Sequence, residues 1–161
     1  MNQYSHRGKM MISQTTEYAI RAIIEMGQKP EGEYVLAKTL AEDLDIPHFY
    51  LGKILQQLVK SRVLKSTRGR NGGFSLAKPA NKIRLRDVVE PFEDVDKSSE
   101  CILGQDSCND KVACPLHDYW KDVRERYVQE LETKTVSDLA DFGVRRKKAT
   151  GKKKSGKKKS R

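Results

Sequence analysis

Apolar residues recur at helical spacing along the first sixty positions of the chain. Tyr18, Ala19, Ala22, Ile23 and Met26 share one face, and Ile20 with Ile24 widens it. The pattern predicts a helix over 14–26 that is buried on more than one side. Ser13 is placed to cap it, and Glu17 lies in the first turn, where the helix dipole favours an acid. Gly27 and Pro30-Glu-Gly32 stop it. Ala37, Leu40, Ala41 and Leu44 keep i, i+3, i+4, i+7 spacing for a short second helix. Asp45-Ile-Pro47 breaks that helix, and Pro47 is tolerated in the first turn of a third, over 47–60. There Leu51, Ile54, Leu55, Leu58 and Val59 form the inward stripe, while His48, Lys53, Gln56, Gln57 and Lys60 face out.

Two helices joined by a short turn, the second polar and basic outside, have the sequence form of a helix-turn-helix. Periodicity alone fits any small helical bundle equally well. The next segment favours the first reading. Val63–Thr67 and Phe74–Ala77 are short strand candidates around Arg68-Gly-Arg-Asn-Gly-Gly73, and Asn-Gly tolerates the positive φ of a hairpin turn. A hairpin with Arg68, Arg70 and Asn71 at its tip reads as a wing. Ile83 to Val89 begins a fourth helix that Pro91 stops. Pro115 starts a long helix with Leu116, Tyr119, Trp120, Val123, Tyr127 and Leu131 on one side, packed either within the subunit or against a second copy. Thr135-Val-Ser-Asp138 resembles a capping box opening a last short helix to Phe142. The expected class is mostly α with a small β-hairpin wing.

All three cysteines fall between positions 101 and 114, followed by His117 in a Cys-x-x-His spacing. Thiolates bind zinc or iron–sulfur centres, and imidazole suits both. Gly104-Gln105-Asp106-Ser107 and Asn109-Asp110-Lys111 let one loop wrap around such a centre. Three unrelated free thiols are the alternative. An odd cysteine count argues against a disulfide framework and for a reducing, cytoplasmic setting. No stretch approaches the ~20 apolar residues of a membrane span, and residues 1–11 have no apolar core of a secretory signal.

The net charge of +10 is unevenly spread. Eleven Lys or Arg and no acid follow Val144; without them, 21 basic residues face 22 acidic ones. No Asp or Glu stands between Asp45 and Asp87, where ten Lys or Arg do. From Asp87 to Asp110 the sign reverses, with eight acids against Lys97 alone. A basic middle suits a phosphate backbone, and the acidic segment must face elsewhere. The organisation read from these patterns is a disordered leader (1–11), a winged helix-turn-helix (12–92), a cysteine loop (93–114), a long helix with a short C-terminal helix (115–143) and a disordered Lys-rich tail (144–161).

The quoted residues resemble the Rrf-two family of bacterial winged-helix regulators, whose members include the iron–sulfur regulator IscR and the nitric-oxide sensor NsrR. The likeness covers about residues 11–142. It rests on Thr16-Glu-Tyr-Ala-Ile-Arg-Ala-Ile, Tyr50-Leu-Gly-Lys-Ile-Leu-Gln-Gln-Leu, Arg68-Gly-Arg-Asn-Gly-Gly-Phe-Ser-Leu-Ala and Cys114-Pro-Leu-His-Asp-Tyr-Trp120, in that order. The resemblance implies a homodimer on a roughly palindromic DNA operator, the long helix serving dimerisation. It implies an iron–sulfur cluster held by Cys101, Cys108 and Cys114, whose redox, nitric-oxide or assembly status sets DNA affinity. His117 is the nearer fourth ligand, as in the branch that carries [2Fe-2S]; Glu17, supplied across a dimer, is the competitor. A [4Fe-4S] cluster or zinc are the other occupants. Pro47, His48, Tyr50, Lys53 and Arg68 fall where family members touch DNA, and Arg70 joins them at the wing. Gly52 departs from the larger polar residue common in relatives, and the Lys-rich tail is outside the family pattern. An electron carrier is the competing class. The sequence has no Gly-rich nucleotide loop, paired-carboxylate pattern or Ser-His-Asp arrangement, so no enzyme and no small-molecule substrate are expected.

Overall fold

A computed structural model describes residues 12–70, 72–95, 103 and 110–149. The expected leader over 1–11, Asn71, Cys101 and Cys108 lie outside the described residues, as does the tail beyond Ala149. The first helix, α1 (Gln14–Gly27), begins where Ser13 accepts a hydrogen bond from the Thr16 amide. Helix α2 spans Ala37–Leu44 and α3 spans His48–Lys60, with Pro47 at its N-cap. Between them Asp45 takes a left-handed φ of 54°, and its N–H bonds back to Ala41 and Glu42. Ala19, Ala22, Ile23, Leu51, Leu55 and Leu58 interlock, fully buried, in one core.

The wing is an antiparallel pair, β1 (Leu64–Thr67) and β2 (Gly73–Leu76), in register Leu64 to Leu76. A third member has no sequence signal. Val35 bridges Phe74 through bonds of 2.8 and 2.9 Å, tying the wing to the α1–α2 connection. Gly73 makes that approach feasible: it sits at φ +138°, and a Cβ there would stand 2.4 Å from the Val35 carbonyl oxygen.

Beyond the wing, α4 (Leu85–Val89) is shorter than the span starting at Ile83, because Ile83 and Arg84 are extended and Arg84 bridges Thr135. Helix α5 (His117–Thr133) starts at His117 rather than Pro115. Its second half turns Tyr127, Val128 and Leu131 onto Val89 and Val95, whereas Leu116 and Tyr119 near its start remain 44% and 69% exposed. The apolar side of this helix is therefore divided along its length.

The last helix, α6 (Val136–Ala149), runs past Phe142. The expected capping box is present: Thr135 N–H and its hydroxyl donate to Asp138 Oδ2 at 2.8 Å. Residues 144–149, expected to be disordered, are helical. Ala, Arg and Lys are strong helix formers, and cations in a last turn complement the dipole. Lys147 adds an anchor, reaching Glu25 at 2.5 Å and Gln28 at 2.9 Å on α1. Helix α6 lies against α1 so closely that a Cβ at Gly143 would stand 2.7 Å from Ile24 Cγ2.

Candidate functional site

Helix α3 buries Leu51, Ile54, Leu55 and Leu58 and presents His48, Lys53, Gln56 and Lys60 outward, as the periodicity requires. Phe74 of the wing lines the same shallow groove as His48 and Lys53, so α3 and β2 form one surface. Arg68 and Arg70 are exposed at the wing tip, around Gly69 at φ +108°. Pro47 is exposed at the head of α3. With no acid between Asp45 and Asp87, this surface carries basic and neutral side chains only among its described residues. Such a surface attracts phosphates without a repelling carboxylate.

Tyr50 does more than face outward. Its hydroxyl bonds the Thr15 hydroxyl, and its ring stands edge-on to Tyr18 at 5.8 Å. Arg21 lies 5.6 Å over the Tyr18 ring and donates to the Leu44 carbonyl at 2.5 Å. Tyr50 is thus a strut that fixes the angle of α3 against α1, with 37% of its surface left accessible.

On the cysteine side, Cys114 is half-buried with a free thiol in the turn that precedes α5. The His117 N–H donates to the Cys114 carbonyl at 2.9 Å, which closes the Cys-x-x-His turn. The His117 ring is 5% exposed, and its Nε2 lies 2.8 Å from Asp110 Oδ1. Lys121 reaches the same oxygen at 3.5 Å. The His117 hydrogen bond, followed by the Lys121 charge, holds the Asp110 carboxyl below its ordinary pKa. A carboxylate on one ring nitrogen is how proteins orient an imidazole toward a metal and raise its basicity. Thiolate and oriented imidazole together fit an iron–sulfur or zinc centre. No group of three or more His, Cys, Asp or Glu side chains is arranged around a common point among the described residues. Glu17 lies on the exposed first turn of α1, 3.9 Å from Arg21.

Glu93 has no sequence signal that marks it. Its Oε1 accepts from the Ser13 N–H at 2.8 Å and the Thr16 hydroxyl at 2.5 Å. Burial works to raise the Glu93 pKa, but the bonds from Ser13 and Thr16 outweigh it and leave the carboxyl below its ordinary value. Burial, then the Glu93 charge, pushes the Tyr127 phenol up. Glu93 therefore joins the start of α1 to the segment leading into the cysteine loop. Ser13 and Thr16 flank Thr15, which holds Tyr50 of α3.

Comparison with known proteins agrees with the fold. The Rrf2 family model, described as an iron-dependent transcriptional regulator, matches residues 12–141. CymR (YrzC), the global cysteine regulator of B. subtilis, is 25% identical with a TM-score of 0.68, over 81% of this chain and 96% of that one. The oxidised form of Staphylococcus aureus CymR is 24% identical with a TM-score of 0.65, over 81% and 96%. IscR of T. potens is 21% identical with a TM-score of 0.66, over 84% and 89%. The last two likenesses are of fold.

Proposed function

The chain belongs to the Rrf2 family of DNA-binding transcriptional regulators, which are not enzymes, and on that premise we propose that it is an operator-binding regulator governed by an iron–sulfur centre. In this reading α3 enters the major groove with Pro47, His48, Tyr50 and Lys53 at its leading end, and Arg68 and Arg70 follow the flanking backbone or minor groove. Two copies bind a two-fold operator in the cytoplasm. Cys101, Cys108, Cys114 and His117 hold the centre. A bound cluster would supply a redox-active, chemically labile group between the winged helix and α5. Asp110 holds the imidazole of His117 in one orientation.

One observation carries the reading: the buried His117 beside Asp110, one turn after Cys114 at the head of α5.

A second reading is a regulator whose cysteines act as thiols, or hold structural zinc. The partial exposure of Cys114, which leaves it open to solvent chemistry, favours it. Protein purified without oxygen separates the two. A brown to red solution containing iron and acid-labile sulfide is expected. Colourless protein without iron that still binds its operator with full affinity would overturn the cluster.

A further inference from the structure

Phe49 is 87% exposed, on the first turn of a helix whose Leu51, Ile54, Leu55 and Leu58 are no more than 2% exposed. Folding gives no reason for a large apolar ring there, since every other apolar side chain of the α3 stripe is buried or half-buried. The ring leans edge-on against His48, with centroids 5.7 Å apart and planes at 64°, which limits its freedom. Gly52 follows at i+3 on the same face. Apart from its chain neighbours and the helix's own backbone, no atom lies within 4 Å of where a Cβ at Gly52 would stand, so a notch opens beside the ring. Ala37 and Phe74 continue the apolar strip, and Lys53 and Lys60 border it. The groove therefore offers apolar and cationic side chains together, with His48, Gln56 and Gln57 also lining it.

We propose that Phe49 is a specificity-determining residue that contacts the C5-methyl group of a thymine in the major groove, with the Gly52 notch admitting the base edge. Duplex DNA is the occupant whose chemistry matches: the phosphates pair with the lysine border, and the thymine methyl is the apolar feature of the groove that aromatic side chains read. Gly52, which lacks the larger side chain expected there, then widens access for that contact instead of forming a hydrogen bond of its own. The proposal rests on the reading of α3 as the groove-entering helix.

The test begins with the full chain and a pool of random duplexes, from which a preferred sequence is selected. Each thymine of a half-site is then replaced by uracil, which removes the methyl and nothing else, and binding is measured at fixed salt. At one position per half-site, uracil should weaken wild-type binding about fourfold, the worth of one methyl-sized apolar contact. Phe49→Ala should weaken binding to the thymine duplex similarly and become indifferent to uracil at that position. Its thermal unfolding should match wild type, because the ring is not in the core.

Wild-type protein indifferent to uracil everywhere, or a Phe49→Ala variant that keeps the methyl preference, would overturn the proposal. His48→Ala and Lys53→Ala separate the two levels of the argument. If they weaken the operator while Phe49→Ala does not, only the methyl contact fails; if none of the three matters, or selection returns no preferred sequence, α3 is not the reading helix. Dissociation of a dimer on Phe49→Ala, with DNA choice intact, would assign the ring to a contact between copies.

Discussion

His117 and Glu17 compete for one role, and their surroundings differ in ways that favour the histidine. His117 is buried and oriented by Asp110; Glu17 is exposed and faces Arg21 on its own helix. Reconstituted without oxygen, His117→Ala should lose the wild-type visible spectrum and shorten the cluster's lifetime, while Glu17→Ala keeps both. The reverse result would place the fourth ligand across a dimer interface. Asp110→Asn leaves every proposed ligand intact but replaces the carboxylate that orients the ring. Loss of such a partner typically costs about 10–100-fold in metal affinity, so cluster loss to a chelator should accelerate by a comparable factor. At the wing, Arg68 stands exposed with no carboxylate nearby in sequence. Arg68→Ala should weaken the preferred operator by about 1–3 kcal/mol if it reads a base edge. An equal loss on every duplex would make it a phosphate contact, and no loss would remove the wing from recognition.

At the scale of elements, Glu93 joins the cysteine-loop segment to the cap of α1, two side chains away from α3. Its folded pKa is lowered, so the sign is that of a stabilising carboxylate. The contribution is present above the ordinary glutamate value and disappears as pH falls through the lowered one. Wild type should exceed Glu93→Ala in stability by about 1–2 kcal/mol near neutrality, from hydrogen bonds to a charged group. The gap should close in acid, as followed by thermal unfolding at stepped pH. A gap that persists at low pH would show that packing, not charge, joins these segments. The same interaction explains what sequence reading can and cannot recover. Ser13 over Thr16 and Thr135 over Asp138 are legible because each cap closes within three residues. The stripes of α1, α2 and α3 are legible because one periodicity specifies one buried face. Glu93 on Ser13 spans 80 positions, and Val35 on Phe74 is a single bridge, so neither leaves a local pattern. The reach of α6 depends on Lys147 meeting Glu25, a pairing between the two ends of the fold.

The molecule as a whole separates its charges. The α3–wing surface is basic, the segment from Asp87 to Asp110 is acidic, and the cation-rich C-terminus begins on α6, which packs on α1. If two copies bind through the exposed Leu116 and Tyr119 end of α5, their reading helices should address half-sites about one helical turn, or roughly 10 base pairs, apart. The basic segment then divides into two parts with different duties. Lys147 is committed to Glu25 and Gln28, so removing residues from Arg145 onward would loosen α6 as well as remove charge. Deleting only 150–161 leaves that anchor and removes seven Lys or Arg. For every phosphate the arm no longer neutralises, the log–log dependence of affinity on salt should flatten by about 0.9. Sequence choice should not change, because base edges are read by α3 and the wing. Binding to unrelated duplexes at low salt should fall in parallel with binding to the operator, so their ratio stays constant. A ratio that falls on deletion would mean the arm enters a groove and reads sequence itself, and an unchanged salt slope would mean it does not touch DNA.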